Sequence, residues 1–178
     1  MEEDRFWHWP ASSANTIGGT DTGLEFSVHQ AVELVNMPFV SITRLRVRSW
    51  RFLPMFFYYA LRSTRQASRS DGNLDTKLLR DSNHTFWTAT LWTAETDMKQ
   101  FMISGSHGRA MRKLLHWCDE AALVHWTQEN TALPSWLEAH ARLQTEGRRS
   151  KVNQPSAAHI AHRFPDPFVG PRSEVNFK

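Results

Sequence analysis

The residues of this chain that could do acid–base, metal or nucleophilic chemistry are nine histidines, one cysteine and scattered carboxylates. Few of them stand at a useful spacing. His107 and His116 fall on opposite sides of a helix and cannot chelate together, and His159 and His162 are three apart in a stretch that reads as coil. There is no HExxH, CxxC or carboxylate–histidine cluster, so no metal is expected. No GxSxG elbow marks a serine nucleophile. Cys118, between Trp117 and Asp119 on a helix, reads as inert core. The exception is FMISGSHGRAMRKLLHW, residues 101–117: an amphipathic helix broken by Ser-Gly-Ser-His-Gly, with His107 at the break.

That break admits two readings. In the structural one, Gly105 re-aims the chain, Ser104 or Ser106 caps the exposed N–H groups of the new helix, and His107 packs or bonds to backbone. In the chemical one, an imidazole at a helix start resists protonation, which suits a metal ligand or a neutral base. His125, on a strand, is the second proton-shuttle candidate.

Elements able to position these groups follow from the patterning. FVSITRLRVRS (39–49) alternates as a strand, and Pro54 opens a helix over 54–70 whose Arg62, Arg65 and Arg69 form a solvated stripe. NLDTKLLRD (73–81) and HTFWTATLW (84–92) are strands joined by a Ser82-Asn83 turn. Thr93 or Thr96 caps the broken helix, which runs on through Glu120, and AALVHWTQE (121–129) is a fourth strand. The order β-α-β-β-α-β is ferredoxin-like. The chain therefore divides into an N-terminal arm (1–38), a ferredoxin-like α+β domain (39–129), and a C-terminal helix with an extended tail (130–178).

Arg44, Arg46 and Arg48 alternate along the first strand, opposite Leu45 and Val47. They mark either a solvated half of the strand or an anion site for a carboxylate, phosphate or propionate, with Arg44 nearest the centre. Large apolar groups occur on both faces of the third and fourth strands. That predicts a second copy over the open face, hence a homodimer. Eight tryptophans and eleven phenylalanines suit a flat-walled pocket, with Trp87, Trp92, Phe86 and Tyr58 as its lining.

Composition bounds the class. At 178 residues, 40% hydrophobic and 22% charged, the chain is ordinary globular material. A single cysteine excludes an internal disulfide and points to a reducing, cytoplasmic location. No apolar run reaches membrane-spanning length, and the acidic start lacks a signal pattern. The third strand has aromatics but no glycine or basic residue, and net charge is only +3, which argues against nucleic acid.

HTFWTATLWTAETDMKQFMISGSHGRAM resembles the third strand and broken second helix of the dimeric α+β barrel superfamily, which includes the antibiotic-biosynthesis monooxygenases. Within it, WCDEAALVHWTQE, LPSWLEAHARL and SKVNQPS are similar to an uncharacterised family related to spheroidene monooxygenase. The resemblance implies a monooxygenase-like enzyme oxidising a hydrophobic small molecule in secondary or pigment metabolism. It leaves the cofactor open. Either a haem is held by His107, with Arg44 near a propionate, or no cofactor is used and His107 or His125 shuttles protons. The rival class is a non-catalytic dimeric barrel that binds a small ligand or haem.

Overall fold

In the computed structural model, residues 37–177 are described. Four strands form the sheet's centre: β1 (Phe39–Val47), β2 (Asn73–Arg80), β3 (Thr85–Trp92) and β4 (Cys118–Thr127). The helices are α1 (Leu53–Ala67), α2 (Glu95–Ile103) and α3 (Gly105–Trp117). The C-terminal region adds α4 (Trp136–Thr145), β5 (Arg148–Arg149), α5 (Ala157–Ala161) and β6 (Glu174–Phe177). Sheet order is β5-β4-β1-β3-β2-β6, antiparallel throughout. Its inner β4-β1-β3-β2 set, with two helical crossovers, is the ferredoxin-like α+β arrangement.

Local chemistry explains most boundaries. Pro54 sits in the first turn of α1, where its missing N–H costs nothing. Between β2 and β3 the turn falls on Asn83 and His84, both left-handed at φ 52° and 57°, so it lies one residue later than Ser82-Asn83. α4 starts at a serine N-cap: Ser135 Oγ accepts from the Glu138 N–H. Neither Thr93 nor Thr96 caps α2; Ala94 holds that position, and Thr93 Oγ1 instead donates to Asp97 at 2.6 Å. The helix after the break ends at Trp117, and Cys118–Glu120 open β4 because they pair with β1, Arg46 opposite Glu120. The tail is not wholly extended, since His159 lies in α5.

Alternation on β1 assigns the two faces. Leu45 and Val47 pack with Phe56, Leu114 and Trp117 beneath α1 and α3. Val40 and Ile42 face the other way, with Trp87, Leu91 and Val124. This second face, where a second copy was expected, is covered by the same chain: Trp136, Ala139 and Leu143 of α4 and Phe164 of the tail close it. Further along the chain, β6 pairs with β2 and β5 with β4, occupying both edges of the inner sheet. The apolar pattern predicted a cover, and residues 133–164 supply one. The expected N-terminal arm (1–38) lies outside the described residues except for Met37 and Pro38.

Candidate functional site

Gly105 makes the helix break. Its φ of +53° is open to glycine, and a Cβ there would stand 2.5 Å from Gln66 Oε1. The reason for that close approach is a cap that comes from another helix. Gln66 of α1 accepts from the Ser106 N–H at 2.7 Å and from the His107 N–H at 3.2 Å. Its Nε2 donates to Ser104 Oγ at 2.9 Å. Neither serine side chain caps α3; Ser104 Oγ turns back to the Phe101 carbonyl. The orphan donors of the helix start are thus satisfied across 40 residues of sequence.

The imidazole of His107 is fixed by a second contact. Its Nδ1 lies 2.8 Å from the Met102 carbonyl oxygen, an acceptor only, so Nδ1 carries the proton and donates. Nε2 is left with its lone pair and has no partner among the described residues. The ring packs on Phe101 at 4.5 Å, and Phe101 on Trp92 at 5.2 Å. Burial lowers the pKa of His107, and the Met102 bond only partly offsets it. The group is a half-buried, neutral imidazole with one nitrogen free: a base or a ligand in readiness.

His125 lies on the same helix-covered face, opposite Ser41 and 5.5 Å from Phe39. Burial first, then Arg148 and Lys99, lowers its pKa to about 4. A histidine whose folded pKa lies below the unfolded value of 6.5 contributes stability that is fully present above pH 6.5 and is lost as pH falls towards 4. The free energy of unfolding should therefore fall across that window, by roughly 3 kcal/mol at most. His125→Gln should flatten the profile; an unchanged slope in that variant would refute the assignment.

Arg44 lies elsewhere. It is 2% exposed on the face covered by α4, with its guanidinium 4.4 Å from the Phe164 ring and 5.6 Å from Trp87. The carboxylate it holds is the chain's own Glu120, at 2.5 Å. Arg46 shares Glu120 at 3.0 Å and binds Asp119 through two nitrogens, and Ser156 Oγ donates to Glu120 at 2.8 Å. Burial lowers the pKa of Arg44, and Glu120 pulls it back. Arg48 leaves the series, because the register shifts between Arg46 and Val47. Its guanidinium instead stacks on Phe52 and donates to the His116 carbonyl.

Of the aromatic lining read from sequence, only Trp92 neighbours His107, through Phe101. Trp87 is in the opposite core, its Nε1 donating to Asp81. Phe86 packs against Phe56 at 4.8 Å, and Tyr58 is 50% exposed on α1. His107 and Arg44 are on opposite sides of the sheet, so the pair expected to hold a haem is not brought together. The residues present do not fit that group. Cys118 is buried, its thiol pushed up to about 12, an unreactive position. Among the described residues no cluster of three or more His, Cys, Asp or Glu could hold a metal ion, and no helix is long and apolar enough to cross a membrane.

Strand order and site together define a ferredoxin-like α+β protein with a histidine at a broken second helix. The chain belongs to the family described as Domain of unknown function (DUF3291), which it matches over residues 62–168. That span includes α4 and Phe164, and begins after β1.

No curated protein matches the chain in sequence. Among solved structures, SnoaB, a cofactor-independent oxygenase from Streptomyces nogalater, is similar at 15% identity and a TM-score of 0.43, covering 53% of this chain and 95% of SnoaB. PA3566 from Pseudomonas aeruginosa is 11% identical with a TM-score of 0.47, covering 53% and 96%. A conserved protein from Methanosarcina mazei Go1 is 11% identical with a TM-score of 0.46, covering 54% and 96%. The strand order of this chain, rather than these likenesses, establishes its fold.

Proposed function

We propose that the protein is a monooxygenase-like enzyme acting on a hydrophobic small molecule, with His107 as a neutral general base. The observation that carries this is the Nδ1–Met102 bond, which commits the free lone pair to Nε2 beside Phe101. Space for a flat substrate is supported by Ser41, Thr43 and Thr88, which stay half-buried although they lie on central strands of the helix-covered face. His125 borders the same face and stays neutral across the working range.

The step is balanced without a resident cofactor. Nε2 takes a proton from an acidic CH₂ flanked by aromatic or carbonyl groups. The carbanion reduces O₂ and a C–O bond forms. The proton returns to the distal oxygen, and loss of water leaves a carbonyl. The substrate supplies all four electrons. No step runs through a haem, and the working unit is one protomer, since α4 and the tail occupy the face that a second copy would use.

Oxygen uptake with a panel of such activated aromatic CH₂ compounds tests the proposal. Activity should be level above about pH 6.5 and fall below it, as protonation removes the base. His107→Gln should lower kcat by roughly 10²–10⁴-fold while substrate binding persists. Full turnover in that variant would remove His107 from the chemistry. Binding with no turnover in the unaltered protein would favour the carrier.

A further inference from the structure

A groove between α1 and the start of α3 has a volume of about 640 Å³ and is lined by Arg62, Arg65 and Arg69 from one helix and Arg109 from the other, around Ser106 and Gln66. Along α1 alone the three arginines look like an ordinary solvated stripe. The fold changes that by bringing a fourth guanidinium from a separate element against the same space. None of the four forms an ion pair among the described residues, whereas Arg44, Arg46 and Arg142 all do. Arg62 Nε and an Arg109 terminal nitrogen converge on the buried hydroxyl of Ser106 at 3.4 and 3.5 Å, long contacts, and Arg62 also donates to the Tyr58 hydroxyl at 3.0 Å; these neutral partners leave the positive charge of both guanidinium groups uncompensated.

We infer that this groove binds a multiply charged phosphate-bearing small molecule, its oxygens taking the guanidinium donors that no carboxylate among the described residues satisfies. Four like charges in one groove repel each other, and a ligand with two or more negative charges relieves that cost while offering acceptors in the geometry guanidinium prefers. The N–H groups of Ser106 and His107 are already held by Gln66, so the arginines and not the helix terminus supply the recognition. The groove exceeds the volume of a single phosphate, which favours a di- or triphosphate group. The inference stands independently of the chemistry proposed for His107.

Calorimetric titration of the full chain with inorganic pyrophosphate and tripolyphosphate tests it. One saturable site is expected, with tripolyphosphate the tighter ligand and affinity falling as salt is raised. Arg62→Gln combined with Arg109→Gln should weaken binding at least tenfold, while Arg163→Gln, on the exposed tail, should not. If the double variant fails to fold, Arg65→Gln and Arg69→Gln, each at an exposed position, should each show a several-fold loss. Absence of saturable binding, or equal weakening by Arg163→Gln, would overturn the inference. So would an oligonucleotide binding more tightly than tripolyphosphate, which would make the groove a nucleic-acid contact.

Discussion

Glu120→Ala is expected to lower folding stability by about 3–5 kcal/mol, an effect larger than most single substitutions produce. The loss comes from what remains behind. Arg44 stays charged at 2% exposure with the carboxylate it pairs with gone, and its Nε already lacks a partner among the described residues. Phe164 and Trp87 stack on the guanidinium, but cation–π contacts of about 0.5–2 kcal/mol do not replace a buried counter-ion. Ser156 would also lose the acceptor that ties the tail to β4. Adding Arg44→Met to the variant should recover much of the loss, because an apolar side chain suits the Trp87–Phe164 environment. Denaturant unfolding of the single and double variants measures both effects. A loss below 1 kcal/mol for Glu120→Ala would show that Arg44 reaches water.

Leu143→Ala should cost about 2–5 kcal/mol, since the side chain is wholly buried between α4 and the sheet and its removal leaves a cavity. A chain ending at residue 130 should go further. It would uncover Val40, Ile42, Leu79, Trp87, Leu91 and Val124 as one apolar surface, and self-association should follow. Light scattering distinguishes the outcomes: the full chain is expected to scatter as one protomer and the shortened chain as an assembly. A shortened chain that stays folded and monomeric would mean that the C-terminal region is an accessory to the sheet.

Most of the fold is legible in the residues. Alternation in FVSITRLRV and TFWTATLW, Pro54, and the Asn83 turn give the ferredoxin-like order directly. The source of the cover over the second face was not legible, because an apolar sheet face states that it must be buried and not by what. The amphipathic stripe Trp136, Ala139, Leu143 was the available clue, spaced for one helix face and followed by tail residues long enough to return to the sheet. The end of α3 was misplaced by three residues because Cys118, Asp119 and Glu120 continue a helical pattern locally. Pairing with β1 and the Arg44–Glu120 bridge override it.

The site was legible in part. His107 stood out because a Ser-Gly-Ser-His-Gly break inside an amphipathic helix has a steric purpose. Its supports, Gln66 and the Met102 carbonyl, leave no mark in sequence: one acts across 41 residues and the other is backbone. Arg44 misled because its alternation with Arg46 is the same whether the acid is a ligand or Glu120. The arginine groove was half visible, as the stripe Arg62, Arg65 and Arg69; Arg109 joins only through the packing of α1 on α3.

The protonation state of His107 bears most directly on its proposed role as the base, and it can be measured without a substrate. A long-range ¹H–¹⁵N correlation spectrum of the histidine side chains, followed from pH 8 to pH 5 and assigned with His107→Gln, reports tautomer and pKa together. The proton is expected on Nδ1, with Nε2 unprotonated and the midpoint below the ordinary value of 6.5. A proton on Nε2, or a midpoint at or above 6.5, would contradict it, and His107 would then be a packing residue at a helix start.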